Sequence, residues 1–145
     1  MSVPNSAGRE AHPAVKAFMA RQGMTAQDLR TDGRLTLTID EKYRVHLHTA
    51  SHNRVALTAK LMSLDGRRTG AVDDALARLT SLAAGKLQRH GSSLCLDERQ
   101  HTLMLQQTLP ANADAKEVET ALADFATVLP FWTNACADEA SMMRN

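Results

Sequence analysis

The stretch RLTLTIDEKYRVHLHTASHNRVALTAKLM, residues 34–62, alternates apolar and polar side chains in three short runs. In the first run Leu35, Leu37 and Ile39 fall on one face, and Thr36, Thr38 and Asp40 on the other. Asp40-Glu41-Lys42 is a tight connection. The second run repeats the pattern, with Tyr43, Val45 and Leu47 opposite Arg44, His46 and His48. Ser51 to Asn53 makes another turn, and Val55, Leu57, Ala59 and Leu61 supply a third apolar face. Connections this short join antiparallel neighbours, because a parallel pair needs a crossover of about a dozen residues or more. The stretch therefore predicts a meander with one apolar face.

Toward the C-terminus, Asp65 to Gly70 is a polar break. Helical spacing runs from Ala71 to Arg89, through Val72, Leu76, Leu79, Leu82 and Ala83 with Ala75 beside them. Gly85 weakens this helix by roughly 1 kcal/mol relative to Ala, and Gly91 is the expected stop. Alternation returns at Ser92 to Asp97 and His101 to Leu109, with Leu94, Leu96, Leu103 and Leu105 as the apolar members. Asp114-Ala-Lys-Glu117 resembles a capping box. A last helix presents Val118, Ala121, Leu122, Phe125, Val128 and Leu129 until Pro130 disrupts it, with Phe131 and Trp132 as its terminal anchor. Toward the N-terminus, Asp32-Gly33 reads as a turn, and Met24 to Leu29 as one helical turn. Pro13 opens a helix whose Val15, Phe18 and Met19 share a face, with Gly23 as its stop. The expectation is an α+β fold in the order α-β-β-β-α-β-β-α, with a five-stranded antiparallel twisted sheet and three helices. Residues 1–11 are expected as a flexible tail, 12–133 as a single domain and 134–145 as a second flexible tail.

Composition sets the bounds. A chain of 145 residues, 43% hydrophobic, can bury about 70% of its unfolded surface around one core. It has no run of about 18 apolar residues, and its first residues have no apolar signal region. Two cysteines without a C-x-x-C motif suggest neither a disulfide framework nor a zinc site, so a reducing cytosol is the simplest compartment. Charge is unevenly spread. Through Gly70 there are 11 Lys and Arg against 6 Asp and Glu, a net of +5; the remainder carries 6 against 10, a net of −4. The basic half suits an acidic partner, the two halves suit each other in an assembly, and a solvated polar face accounts for either.

Chemical motifs are sparse. His46 and His48 share a strand face with His52 close behind, but a metal site wants a third ligand and supporting groups. Cys95 is the opposite-face neighbour of Leu94 and Leu96, which reads as a structural thiol. Gly85-Lys86 lacks the upstream Gly of a phosphate loop, and neither G-x-S-x-G nor H-E-x-x-H occurs. Arg44, His46, His48, Arg54 and Lys60 make a basic face, yet the aromatic platforms of single-strand binders are missing. No catalytic residue, metal or cofactor is assigned, and no nucleic acid or membrane insertion is expected.

Two segments carry a family resemblance. DGRLTLTIDEKYRVHLHTA, residues 32–50, has an apolar-alternating first hairpin with an acidic turn at Asp40-Glu41. SSLCLDERQHTLMLQQTLPANADAKEVETALADFATVL, residues 92–129, sets a short Leu-rich strand, an acidic turn, a longer strand, a Pro and a capped amphipathic helix in order. Together with the helix before them, these resemble the class I type III secretion chaperones, the CesT/Tir-chaperone family, over roughly Pro13 to Trp132. Those chaperones are commonly acidic, whereas this chain has a sequence pI near 7.9. The resemblance implies a cytoplasmic homodimer in a Gram-negative bacterium. Its partners would be one or a few secreted effectors, with the secretion-system ATPase as a further partner. An extended effector segment would add to the edge strand Arg34 to Asp40, using Val15, Phe18, Met19, Leu29, Leu35, Leu37 and Ile39. The dimer contact would use Leu76, Leu79 and Leu82 with Leu94, Cys95 and Leu96. The alternative is a small dimeric α+β adaptor that binds a folded partner.

Overall fold

In the computed structural model, which describes residues 11–86 and 91–143, the alternating runs pair as strands. Helix α1 (Pro13–Arg21) precedes strands β1 (Leu35–Ile39), β2 (Tyr43–Thr49) and β3 (Val55–Ser63). Helix α2 (Thr69–Lys86), strands β4 (Ser92–Asp97) and β5 (Thr102–Leu109) and helix α3 (Ala115–Met143) follow. The five strands form one antiparallel sheet in the order β1-β2-β3-β5-β4, so β1 and β4 are its edges. Residues 1–10, expected as a tail, and residues 87–90, expected to lead α2 to its stop at Gly91, lie outside the described residues.

Register follows the side-chain pattern. Leu35 pairs with Leu47, Leu37 with Val45 and Ile39 with Tyr43, which keeps the apolar residues of β1 and β2 on one face. The β1–β2 turn places Asp40 and Glu41 at φ of 53° and 62°, and Lys42 N–H donates to Ile39 O at 3.1 Å. Two consecutive left-handed residues match the right-handed twist of the flanking strands. Leu94 pairs with Leu105 and Leu96 with Leu103, again apolar against apolar. The β4–β5 turn is held by Asp97 Oδ1, which accepts from Arg99 N–H and Gln100 N–H.

The chain groups into two compact units. The first comprises residues through 58 together with 108–123; the second comprises 59–107 with residues from 124 on. In the first, Val15, Phe18, Met19, Leu35, Val45, Leu47, Val55, Leu57 and Val118 are buried. In the second, Leu79, Leu103, Leu105, Phe125, Leu129 and Trp132 are buried.

Three expectations are corrected. The meander was expected to have a single apolar face, yet Ala56 and Thr58 of β3 are buried as well as Val55, Leu57 and Ala59. A strand in the middle of a five-stranded sheet can be covered on both sides, and small side chains suit such a position. Pro130 does not end α3, which continues to Met143. A proline inside a helix costs about 3 kcal/mol through its lost hydrogen bond and ring clash. Buried Trp132 and Cys136 lie beyond it, and burial of one large apolar side chain returns about 1.5–3 kcal/mol. Residues 134–143, expected in a flexible tail, are thus the last turns of α3. There Arg78 donates to Glu139 with contacts of 2.6–3.0 Å, which satisfies an almost fully buried carboxylate.

The expected cap of α3 is present. Glu117 N–H donates to Asp114 Oδ1 at 2.8 Å, and Asp114 N–H donates to Glu117 Oε1 at 3.1 Å. The expected turn between Met24 and Leu29 is a short helical turn, Ala26–Asp28, capped by Thr25.

Candidate functional site

Among the described residues strand β1 presents an open edge, and the loop before it defines how far the opening extends. Leu29 forms an isolated antiparallel bridge with Leu35, and Arg30 N–H donates to Arg34 O at 2.8 Å. This short fold-back covers the start of the edge, so the expected free span of Arg34 to Asp40 shrinks to about Thr36–Ile39. Arg34 thus turns its carbonyl away from β2. Alternate residues of an antiparallel strand share that orientation, so the main chain of Thr36 and Thr38 also faces outward. Two left-handed residues and an exposed Thr38 mark the far end, with no Lys or Pro on the strand to blunt it.

The seven residues expected at a partner groove divide by burial. Val15, Phe18, Met19 and Leu35 are buried in the core of the first unit. Leu29, Leu37 and Ile39 are half-buried and keep apolar surface at the β1 edge. The buried four pack beneath the edge that the other three border.

A polar cleft of about 540 Å³ lies where α1 begins and β1 starts, lined by His12, Asp32, Arg34, His48, Thr49 and Asn53 among others. His12 is its structural pin. Ala14 N–H donates to His12 Nδ1 at 3.0 Å, which requires that nitrogen to be unprotonated; the ring proton on Nε2 then goes to Asn53 O at 2.7 Å. One buried imidazole thereby caps α1 and ties it to the β2–β3 turn. Arg34 is different: its Nε is buried and meets no acceptor, and among the described residues its guanidinium forms no ion pair. Asp32 lies in the same cleft, but its Oδ1 already accepts Arg34 N–H at 3.0 Å. That bond, with Arg34 and Arg30 nearby, holds the Asp32 carboxyl below the usual range. His46 and His48 share the β1–β2 polar face, and His46 Nδ1 hydrogen-bonds Thr36 Oγ1 at 2.8 Å. Burial first, and then Arg34 and Arg30, push the His46 imidazole below its ordinary pKa; burial does the same to His48, against a hydrogen bond to Thr49 O that raises it. Among the described residues no group of three or more His, Cys, Asp or Glu is arranged to hold a metal ion.

The other edge has a different chemistry. Helix α2 packs against β4. Of the six residues expected at a dimer contact, Leu79 is fully buried, Leu76, Leu94 and Cys95 are half-buried, and Leu82 and Leu96 are each 46% exposed. Burial, then Asp97, push the Cys95 thiol above its ordinary pKa. Beside them a groove of about 600 Å³ has Leu64, Val72, Leu76 and Leu96 among its apolar lining and Asp65, Asp73 and Glu98 at polar positions.

Sequence reasoning missed the His12 pin, the Leu29 bridge and the Arg78–Glu139 pair. Histidine is an uncommon helix cap, and its acceptor lies 41 residues away. The bridge left one faint signal, an isolated Leu29 ahead of the Asp32-Gly33 turn.

With the fold and both edges described, comparison with known proteins places the chain. Residues 14–132 match the model of the Tir chaperone protein (CesT) family, and the chain belongs to that family. Among curated proteins none matches the sequence. Several solved structures share the fold. The ExsC–ExsE complex aligns with TM-score 0.56 and 21% identity over 81% of this chain and 86% of that one. The HopA1–SchA chaperone–effector complex aligns with TM-score 0.56 and 17% identity, over 83% and 91%. The Yersinia pestis type III secretion chaperone SycH, in complex with a fragment of YscM2, aligns with TM-score 0.54 and 17% identity, over 83% and 98%. No helix among the described residues is long and apolar enough to cross a membrane.

Proposed function

We propose that this protein is a type III secretion chaperone that holds the N-terminal segment of one or a few effectors extended and secretion-competent. The observation that carries this reading is the family match across residues 14–132. The open edge of β1 supports it, because an extended segment can complete the hydrogen bonding of Thr36 and Thr38 while Leu29, Leu37 and Ile39 receive its apolar side chains. Val15, Phe18, Met19 and Leu35 serve beneath, as the packed support of that edge. Ordering such a segment costs about 2–5 kcal/mol. A homodimer offsets this by offering two related surfaces to one chain, the second contact being intramolecular. The exposed Leu82 and Leu96, with Leu76, Leu94 and Cys95 beside them, are the dimer contact in this reading, and Leu79 backs it from the core. Action is by binding equilibrium in the cytoplasm, without ATP hydrolysis by this chain; the secretion-system ATPase is a later partner.

Native mass spectrometry of the tagged chain purified from its host tests the reading. The expected species is a dimer with one copy of a larger protein, whose contact maps to that protein's N-terminal region by limited proteolysis. A dimer that binds only a fully folded partner, with no protected extended segment, would overturn it.

A further inference from the structure

We propose that the cleft at Arg34 is an anion subsite that takes one Asp or Glu side chain of the bound partner segment. The inference rests on the chaperone reading and adds a specificity rule to it. Arg34 Nε is buried without an acceptor, and its guanidinium has no ion pair among the described residues. A buried cationic donor left in that state is stabilised by any carboxylate that reaches it, through a charge-assisted hydrogen bond. Arg30, just before β1, and Arg44 on β2 add positive charge beside the cleft. Among the described residues the one acidic group lining the cleft is Asp32, and its Oδ1 is engaged by Arg34 N–H. His12 has both ring nitrogens committed, so it neither supplies an acceptor to Arg34 nor competes for the ligand.

Position argues for a side chain as the ligand. The Leu29–Leu35 bridge stops strand addition at about Thr36, two residues from Arg34. At about 3.3 Å of rise per residue, a segment paired with Thr36 and Thr38 passes within one long side chain of the cleft. A volume of about 540 Å³ accommodates that side chain and water around it. Nucleic-acid phosphate is the disfavoured ligand, since no aromatic side chain lines the cleft to stack a base.

The test is selection of displayed random 12-residue peptides on the intact protein, repeated with Arg34→Gln. The expected result is peptides of alternating apolar pattern with an Asp or Glu enriched at one fixed position. With Arg34→Gln the apolar pattern should persist and the acidic enrichment disappear. A selected peptide resynthesised with Gln for that Glu should bind about tenfold more weakly at low salt, with a smaller difference at high salt. If Arg34→Gln does not fold by circular dichroism, the double variant Arg30→Gln/Arg44→Gln, at two exposed positions, should narrow the Glu-to-Gln ratio. Apolar peptides without a fixed acidic position, or acidic enrichment unchanged in the variant, overturn the subsite and leave the strand-addition reading intact. Selection of no peptide overturns both. Displacement of the peptide by a 20-nucleotide single strand on wild type alone would reassign the cleft to phosphate.

Discussion

The two edges of the sheet expose different things. At β1 the exposed feature is main chain: Thr36 and Thr38 face outward, while Leu35 behind them is buried. At β4 it is side chain: Leu96, like Leu82 of α2, is nearly half exposed. An edge that offers backbone suits an extended peptide of varied sequence, because every peptide carries the same N–H and C=O groups. An edge that offers leucines suits a fixed, complementary surface, because apolar burial discriminates by shape rather than by direction. One fold can thus hold a tolerant interface and a specific one.

The comparison can be broken first on α2, where Leu79 and Leu82 are three residues apart but differ in burial. Leu79→Ala should lower unfolding stability by about 2–5 kcal/mol in urea titrations, as a buried cavity does. Leu82→Ala should stay within about 0.5 kcal/mol for the monomer. Equal effects would mean that Leu82 is buried in the species being unfolded, which points to the dimer itself.

The double variant Leu82→Asp/Leu96→Asp should weaken self-association at least about a hundredfold in sedimentation experiments, because two charges would have to be desolvated at the contact. Its far-ultraviolet dichroism should be unchanged. A dimer that survives both substitutions would move the self-contact away from the β4 edge.

Thr38→Pro sharpens the other half of the comparison. It removes one outward N–H that β2 does not use, so the fold should persist while peptide affinity falls about tenfold. Isothermal titration with a selected peptide measures this. Ser93→Pro, on the opposite edge, should leave that affinity unchanged. A Thr38→Pro protein that binds normally would rule out strand addition at β1.

The smallest expected effect is on pH. His46 and His48 are held below their ordinary pKa chiefly by burial, so the unfolded chain takes up protons first. Their contribution is fully present above about pH 6.5 and is lost as pH falls through the lower folded values. The thermal midpoint should drop between pH 7 and 5, and His48→Gln should shallow that slope. A slope identical in the variant would assign the acid sensitivity elsewhere.

Much of this was legible in one dimension. Alternation at Leu35-Thr36-Leu37 and its two successors, with connections of three and five residues, is sufficient for antiparallel neighbours. Asp114 and Glu117 announce the start of α3 because a capping box is a local, three-residue interaction. The candidate surfaces were legible only as stripes: the sequence marks Leu76, Leu79 and Leu82 as one apolar row, but which of them meets its own core depends on what packs there. The same holds at β1, where Phe18 and Met19 looked like groove residues and are core.

The sequence by itself determined element type and order, because side-chain period and turn chemistry act over a few residues. Tertiary structure alone decided which apolar residues remain exposed, that Pro130 is tolerated within α3, and that Arg34 Nε is left without an acceptor among the described residues. Each of these depends on groups brought together across long separations, as when His12 reaches Asn53 or Arg78 reaches Glu139. Burial and the pairing of charge are properties of what surrounds a side chain, and the fold supplies those surroundings.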